Sequence, residues 1–340
     1  MSATPRLRRR SARLACKLAV GLSLAAASLA ASAQDKVQFL LDLIPSGEYA
    51  AYYAGVANGF FKEQNIDLSI SRGYGSGDTV SKVAAGAAPF GIADIAPALT
   101  GRAKAGAPVK VLSSMYVFSP HSMFVLESSG IKSLKDLQGK RIGITPGNSH
   151  KFYFPEVAKR VGLDESKLEW VNVDASSMAT LLISKRLDAV PFFAIHHYYV
   201  NKAAEAQGEK VLVLPYVETG FTIYSSALIT NENTVKTNPD LVKRFLAATW
   251  KSVRWARDNP AQACTLHVKQ NPEVKHDDCM GSLRAVNTYV FNDFSAKAGL
   301  GRFDAQRLEA TWQQVVKAQQ LDPKFDYKQL IDTSFLPAVN

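Results

Sequence analysis

The chain has 340 residues, 40 Lys and Arg against 30 Asp and Glu, and a formal net charge of +10 at pH 7. Its 47% hydrophobic content excludes wholesale disorder and collagen-like structure, and three cysteines are too few for a disulfide scaffold of this size. The length suggests about two domains, and the basic excess raises a nucleic-acid or membrane-surface reading that depends on where the charges sit.

Residues 1–33 hold Arg6, Arg8, Arg9, Arg10, Arg13 and Lys17 and no acid. An apolar run over 18–30 and the small-x-small sequence Ala31-Ser32-Ala33 follow. This pattern predicts a secretory signal peptide of bacterial kind, cleaved after Ala33, and places the mature protein in the periplasm. A membrane anchor is the alternative, but the run is short of the roughly 20 residues a span needs. Arg9-Arg10 hints at twin-arginine export without support from the residues that follow. Cys16 precedes the apolar run, where lipoprotein processing would not use it. Taking 6 of the 40 basic residues away leaves 34 against 30, a net of +4. That is too small and dispersed to mark a nucleic-acid partner. Cys264 and Cys279 remain as an even pair in an oxidising compartment. A disulfide is the preferred reading, worth about 3 kcal/mol in the loop-entropy account; two free thiols are the alternative.

Along the mature chain, 37–43 reads as an apolar strand, broken by Pro45-Ser46-Gly47. Tyr49, Tyr52, Tyr53, Val56 and Phe60 then recur at helical spacing. Strands are expected at 67–71, 90–93 and 109–116, with helices at 78–87 and 97–105 between them. After Ser119-Pro120 the alternation restarts, with strands at 122–126, 141–144, 168–173, 189–193 and 211–214. Helices are expected at 133–137, from Asn148 or Ser149 to Val161, at 178–184 and at 196–207. One more strand at 224–229 precedes a helical region, with helices at 241–257, 260–269, 281–289 and 305–319, which should wrap back on the first unit. Alternating strands and helices argue for mainly parallel sheets flanked by helices. The expected division is 34–119 with 222–340 as one lobe and 120–221 as the other. Two chain crossings between them make a hinge around a cleft.

Several segments carry a resemblance. They are Glu48-Tyr49-Ala50-Ala51-Tyr52-Tyr53-Ala54-Gly55, Gly59-Phe60-Phe61-Lys62-Glu63-Gln64-Asn65-Ile66-Asp67-Leu68 and Gly73-Tyr74-Gly75-Ser76-Gly77. The run from Val83 to Asp94, the run from Ser133 to Ile144, and Leu187-Asp188-Ala189 complete the set. In this order they resemble the periplasmic solute-binding proteins of ABC importers, most closely the branch for nitrate, taurine and alkanesulfonates, and thiamine-pyrimidine precursors. The resemblance implies a two-lobed periplasmic-binding-protein fold of type II with a helical C-terminal tail. It also implies partnership with a membrane permease and its ATPase. Some members of the wider superfamily are enzymes that build the thiamine pyrimidine with a cysteine-rich iron-binding segment, which this chain lacks.

Ligands of open α/β sheets sit beyond the carboxyl ends of strands, at helix N-termini. That rule selects Ser46, Glu48 and Tyr49 after the first strand, and Gly75, Ser76, Gly77 and Thr79 after the second. The second group can equally be an ordinary turn capped by Ser76. Asp94 ends a strand at the same rim, or simply caps the next helix. In the second lobe Thr145, Gly147, Asn148 and Ser149 follow a strand, with Asn148 or Ser149 again a possible cap. Phe193, Tyr116 and Tyr224 are the aromatic candidates. Tyr49 is expected to stack a flat ligand, with Tyr52 and Tyr53 packing or on the rim. Glu48 would disfavour a small inorganic anion and suit ring N–H or amino donors, unless it only serves the helix dipole. Arg72 and Lys151 read as surface charge or as balance for an anionic group.

Catalytic constellations are poor. His121, His150 and His196-His197 are scattered in sequence, and adjacent histidines on a helix point apart, so no metal site is expected. The glycine loop lacks a following Lys-Ser or Lys-Thr and is not a Walker loop. The expectation is a monomeric, cofactor-free, non-enzymatic binder of a small organic molecule. A planar heterocycle such as a thiamine-pyrimidine precursor, or an aromatic acid, comes first. An alkanesulfonate or taurine-type anion is second, and a periplasmic enzyme is the rival class.

Overall fold

A computed structural model of the protein describes residues 34–338. The expected signal peptide lies outside them. Ten strands form two five-stranded sheets. In chain order they are β1 Asp35–Leu40, β2 Ile66–Ser71, β3 Phe90–Asp94, β4 Val109–Ser114, β5 His121–Leu126, β6 Arg141–Ile144, β7 Glu169–Asn172, β8 Ala189–Phe193, β9 Val211–Pro215 and β10 Ser226–Asn231. The sheet orders are β2-β1-β3-β10-β4 and β7-β6-β8-β5-β9.

Each sheet is mainly parallel but carries one antiparallel strand. β10 runs antiparallel to both β3 and β4, and β5 runs antiparallel to both β8 and β9. These are the first strands after each crossing of the chain. A chain arriving from the crossing enters its new sheet at the edge where the parallel strands end, so it must run against them. The first residue of each inserted strand therefore lies at that carboxyl edge: His121 is in register with Phe193, and Ser226 with Asp94.

The helix Pro239–Asp258 shows how the helical tail attaches. The Asn238 side chain caps it through Leu241 N, Pro239 occupies its first turn, and Leu241, Val242, Phe245, Leu246, Thr249, Trp250, Val253 and Ala256 make a buried stripe. That spacing is the one an amphipathic helix needs. Phe245 stacks on Phe90 at a centroid distance of 3.9 Å and packs on Phe39 at 5.5 Å, joining helix and first sheet in one core. The tail does not stay on the first sheet's side. Helix His276–Val290 packs on the short turn Gly47–Tyr49 and on helix His197–Glu205, and helix Ala305–Gln319 packs on Ile95–Ala105 and Ser149–Val161. Short helices Glu232–Thr237 and Asp293–Ala298 were not anticipated from the sequence.

Cys264 and Cys279 are bonded, with Cα atoms 5.7 Å apart at a sequence separation of 15. The bond ties helix Pro260–Gln270 to helix His276–Val290. The segment entering Gly47–Tyr49 lies directly against this brace: a Cβ at Gly47 would stand 2.5 Å from the Cys279 carbonyl oxygen. Among the described residues, no helix is long and apolar enough to cross a membrane.

Candidate functional site

The carboxyl edges of the two sheets face one cavity, lined from the first sheet's side by Asp42, Glu48, Tyr49, Gly75 and Ser76. From the second come Asn148, Ser149, His150, Phe192, Phe193 and His196. The walls leave about 30 Å³, close to the volume one water occupies in the liquid. Glycine permits this approach. Gly75 adopts φ +122°, and a Cβ there would stand 2.7 Å from the Pro146 carbonyl oxygen. Gly77 N donates to Gly147 O across the same gap at 3.0 Å.

The first wall is acidic. Asp42 follows β1 and is buried. Its Oδ1 accepts from the Tyr49 hydroxyl at 2.7 Å and its Oδ2 from the Ser76 hydroxyl at 2.9 Å. Burial, then the neighbouring Glu48 charge, pushes its carboxyl up to about 7. Glu48, also buried, accepts from the Tyr116 hydroxyl at 2.7 Å through Oε1 and lies 3.1 Å from His196 Nε2 through Oε2. Asp94 closes β3. Its Oδ1 accepts from Tyr153 at 2.5 Å and caps the next helix through Ala96 N at 3.1 Å. Its Oδ2 accepts from Ser225 at 2.7 Å and lies 3.3 Å from His121 Nε2. Burial lifts the Asp94 carboxyl to about 6. Ser76 joins two of these acids, donating to Asp42 and accepting from Asp94 N at 3.0 Å.

The second wall is imidazole and aromatic. His121 and His150 meet edge to face at 4.5 Å, and His150 packs 5.4 Å from Phe193. Burial drives His121 down to about 3. His150 falls well below its ordinary range, through burial first and the His121 neighbour second. His150 Nδ1 faces Asn148 Oδ1 at 2.9 Å and its Nε2 faces Ser122 N at 3.4 Å, which places the proton on Nδ1. His196 is buried, and its Nδ1 has no hydrogen-bond partner.

Of the residues selected from the sequence, Glu48, Tyr49, Gly75, Ser76, Asn148, Ser149 and Phe193 line the cavity. Asn148 also caps its helix through His150 N, whereas Ser76 makes no cap. Tyr116 and Asp94 stand behind the wall as partners of Glu48, Tyr153 and Ser225. Gly77 and Gly147 make the backbone bridge across the gap. Thr79 donates to the Leu41 carbonyl at 2.8 Å, and Thr145 takes a 3.3 Å bond from the Asn148 amide. Ser46 opens on a different cavity. Tyr224 lies elsewhere, 4.8 Å from Phe303, with its hydroxyl accepting from Asp304 N at 2.7 Å. Tyr49 does not present a free stacking face: it is buried and committed to Asp42. Arg72 pairs with Asp174 at 3.6 Å and Lys151 sits 5.3 Å from the Trp170 ring, so neither faces the cavity.

The sequence reading missed Asp42, His150 and His196 as lining groups, and took the histidines as scattered. Asp42 was legible as a lone acid in an apolar run at the end of the first strand. His121 was not, because only the antiparallel insertion of β5 brings a strand's first residue to this edge. Among the described residues, no group of three or more His, Cys, Asp or Glu is arranged to hold a metal ion.

Comparisons with known proteins agree with this architecture. The chain is 23% identical to the riboflavin-binding protein RibY of Chloroflexus aurantiacus, over 95% of this chain and 94% of that protein. It is 24% identical to the 4-amino-5-hydroxymethyl-2-methylpyrimidine phosphate synthase THI11 of Saccharomyces cerevisiae, over 72% and 73%. In fold it resembles the alkanesulfonate-binding protein SsuA of Xanthomonas axonopodis pv. citri, solved with MOPS, with a TM-score of 0.68 at 13% identity over 88% and 98% of the two chains. The family profile described as NMT1/THI5 like matches residues 46–263. With its two mixed sheets closing on one polar cavity, the chain belongs to the NMT1/THI5-like family.

Proposed function

We propose that this protein is the extracytoplasmic ligand-binding subunit of an ABC importer. It captures a small planar nitrogen heterocycle, of the thiamine-pyrimidine-precursor kind, between two lobes and hands it to a membrane permease with its ATPase, without chemical change. The lobes are 34–119 with 222–340, and 120–221. They part about the two crossings, since a cavity of about 30 Å³ admits no heterocycle until its walls separate. The protein works as a monomer.

The polarity of the cavity carries the ligand class. Asp42 and Glu48 offer acceptors for ring N–H and amino groups. His196 Nδ1, buried and unpartnered, offers one more polar contact. Phe192 and Phe193 supply an apolar face. A sulfonate or taurine-type anion would meet two buried carboxyl groups, which disfavours that alternative. The names of two relatives, one for riboflavin and one for a pyrimidine phosphate, support a nitrogen heterocycle. The second name also supports a competing reading as an enzyme, to which the convergence of His121, His150 and His196 near three acids adds weight.

Native mass spectrometry of the purified protein, followed by thermal-shift titration with pyrimidines, aromatic acids and sulfonates, tests both readings. A bound heterocycle recovered unchanged after incubation is the expected result; its conversion would establish the enzyme instead. Glu48→Gln and Asn148→Ala, with folding checked by circular dichroism, should each weaken binding about tenfold, or about 1.4 kcal/mol. Undiminished affinity in both would remove the ligand from this cavity.

A further inference from the structure

The loop that sends Leu43, Glu48 and Tyr49 into the cleft turns residues 44–47 toward a second cavity, of about 170 Å³. Its far side is the start of helix His276–Val290. Two serine hydroxyls line it. Ser282 is fully buried and its Oγ has no hydrogen-bond partner; the Ser46 Oγ is buried and equally unpartnered. Asp278 Oδ1 also accepts no hydrogen bond and lies 3.6 Å from Lys202 Nζ. A buried hydroxyl without a partner is costly, and native proteins rarely leave two together. The cavity has room for several waters or one small organic molecule, at about 30 Å³ per water.

The chemistry of the lining selects the occupant. Glu273 and Lys275 also line it, so with Asp278 and its partner Lys202 the charges near it balance and neither an anion nor a cation is favoured; an ammonium, besides, could not accept from the serines. A hydroxyl group both donates to the carboxylate and accepts from a serine. Ile44, Pro45 and the Tyr199 ring supply an apolar surface for the C–H face of a hydroxylated chain. We propose that this cavity is a second binding site, for a small neutral polyol or sugar-like molecule held by Ser46, Ser282 and Asp278 against Tyr199. The site adjoins the cleft through Tyr199, whose ring packs 5.6 Å from His196 and 6.4 Å from Phe192. Burial first, then the charges of Glu48 and Asp278, raise the Tyr199 hydroxyl. The site does not depend on the cleft ligand being a heterocycle.

Saturation-transfer NMR on the purified protein with ribitol tests it, with glycolate and ethanolamine as charged counterparts. Ribitol should show transfer and the charged molecules none. Ser46→Ala and Ser282→Ala should each weaken ribitol binding about fivefold. Circular dichroism and thermal melting verify that the variants fold; if Ser282→Ala does not, Ser46→Ala, in a loop, decides alone. Absence of ribitol transfer, with the cavity holding water only, overturns the proposal. So does transfer that survives the substitutions unchanged, or preference for a charged molecule. None of these results bears on heterocycle binding in the cleft, which the thermal-shift titration reads separately.

Discussion

The two walls of the cleft bury titratable groups by opposite means. On the first, Asp42 and Glu48, with Asp94 directly behind them, are each held by two or more hydrogen-bonding or ionic partners, and burial raises Asp42 and Asp94 toward neutral pH. On the second, burial pushes His121 and His150 down, so the imidazoles stay neutral. Both walls minimise buried charge, and their pH responses have opposite sign. An acid whose folded value lies above its unfolded one contributes stability in full below the unfolded value, near 3.8, and loses it as pH rises through the folded value. A histidine whose folded value is depressed contributes stability above 6.5 and loses it as pH falls toward 3. Between about pH 4 and 6 the slopes of the two walls oppose one another.

The largest expected effect comes from breaking the support directly behind the acid wall, at its most connected acid. Asp94→Ala removes the acceptor of Tyr153, Ser225 and Ala96 N and leaves buried donors unpaired. It should cost about 3–5 kcal/mol in urea denaturation; a loss below about 1 kcal/mol would show that water replaces the carboxylate. Next comes the brace behind that wall. Reducing Cys264–Cys279, or Cys264→Ser with Cys279→Ser, should cost about 3 kcal/mol for a loop near 15 residues. Because Gly47 abuts Cys279, cleft affinity should fall as well; unchanged affinity would uncouple brace from wall.

The opposition of slopes is tested by pH. Relative to wild type, Asp42→Asn should make stability rise more steeply with pH from 4 to 6, and His121→Gln less steeply, each by at most about 1.4 kcal/mol per pH unit. Parallel curves for the three proteins would falsify the balance between the walls. The smallest effect belongs to Arg72–Asp174, which spans the walls at the exposed rim. Its side chains are 37% and 50% exposed, so Arg72→Ala should change stability by under about 1 kcal/mol.

Much of the fold was legible because periodicity and breakers are local. The strands 141–144 and 189–193 and the helix 305–319 were read with the boundaries the structure shows. The candidate site was legible where a strand end and a helix start are adjacent in sequence, as at Ser76 and Asn148. It was illegible at His196, which read as a helix-surface or core residue, because its partner Glu48 is 148 positions away. Tyr224 misled because aromatic character says nothing about which end of a sheet a residue occupies.

The sequence by itself determined the alternation of elements and the loops that reach the cleft, since each depends on residue type and near neighbours; it left the pairing of Cys264 with Cys279 open, and the structure closed it. Only the tertiary structure decided the antiparallel insertion of β5 and β10 and the pairing of acids with imidazoles across the gap. It also decided the close approach that leaves these groups nearly dry. Those depend on which distant segments exclude water from one another, and burial, more than residue identity, sets whether Asp42 or His121 carries charge.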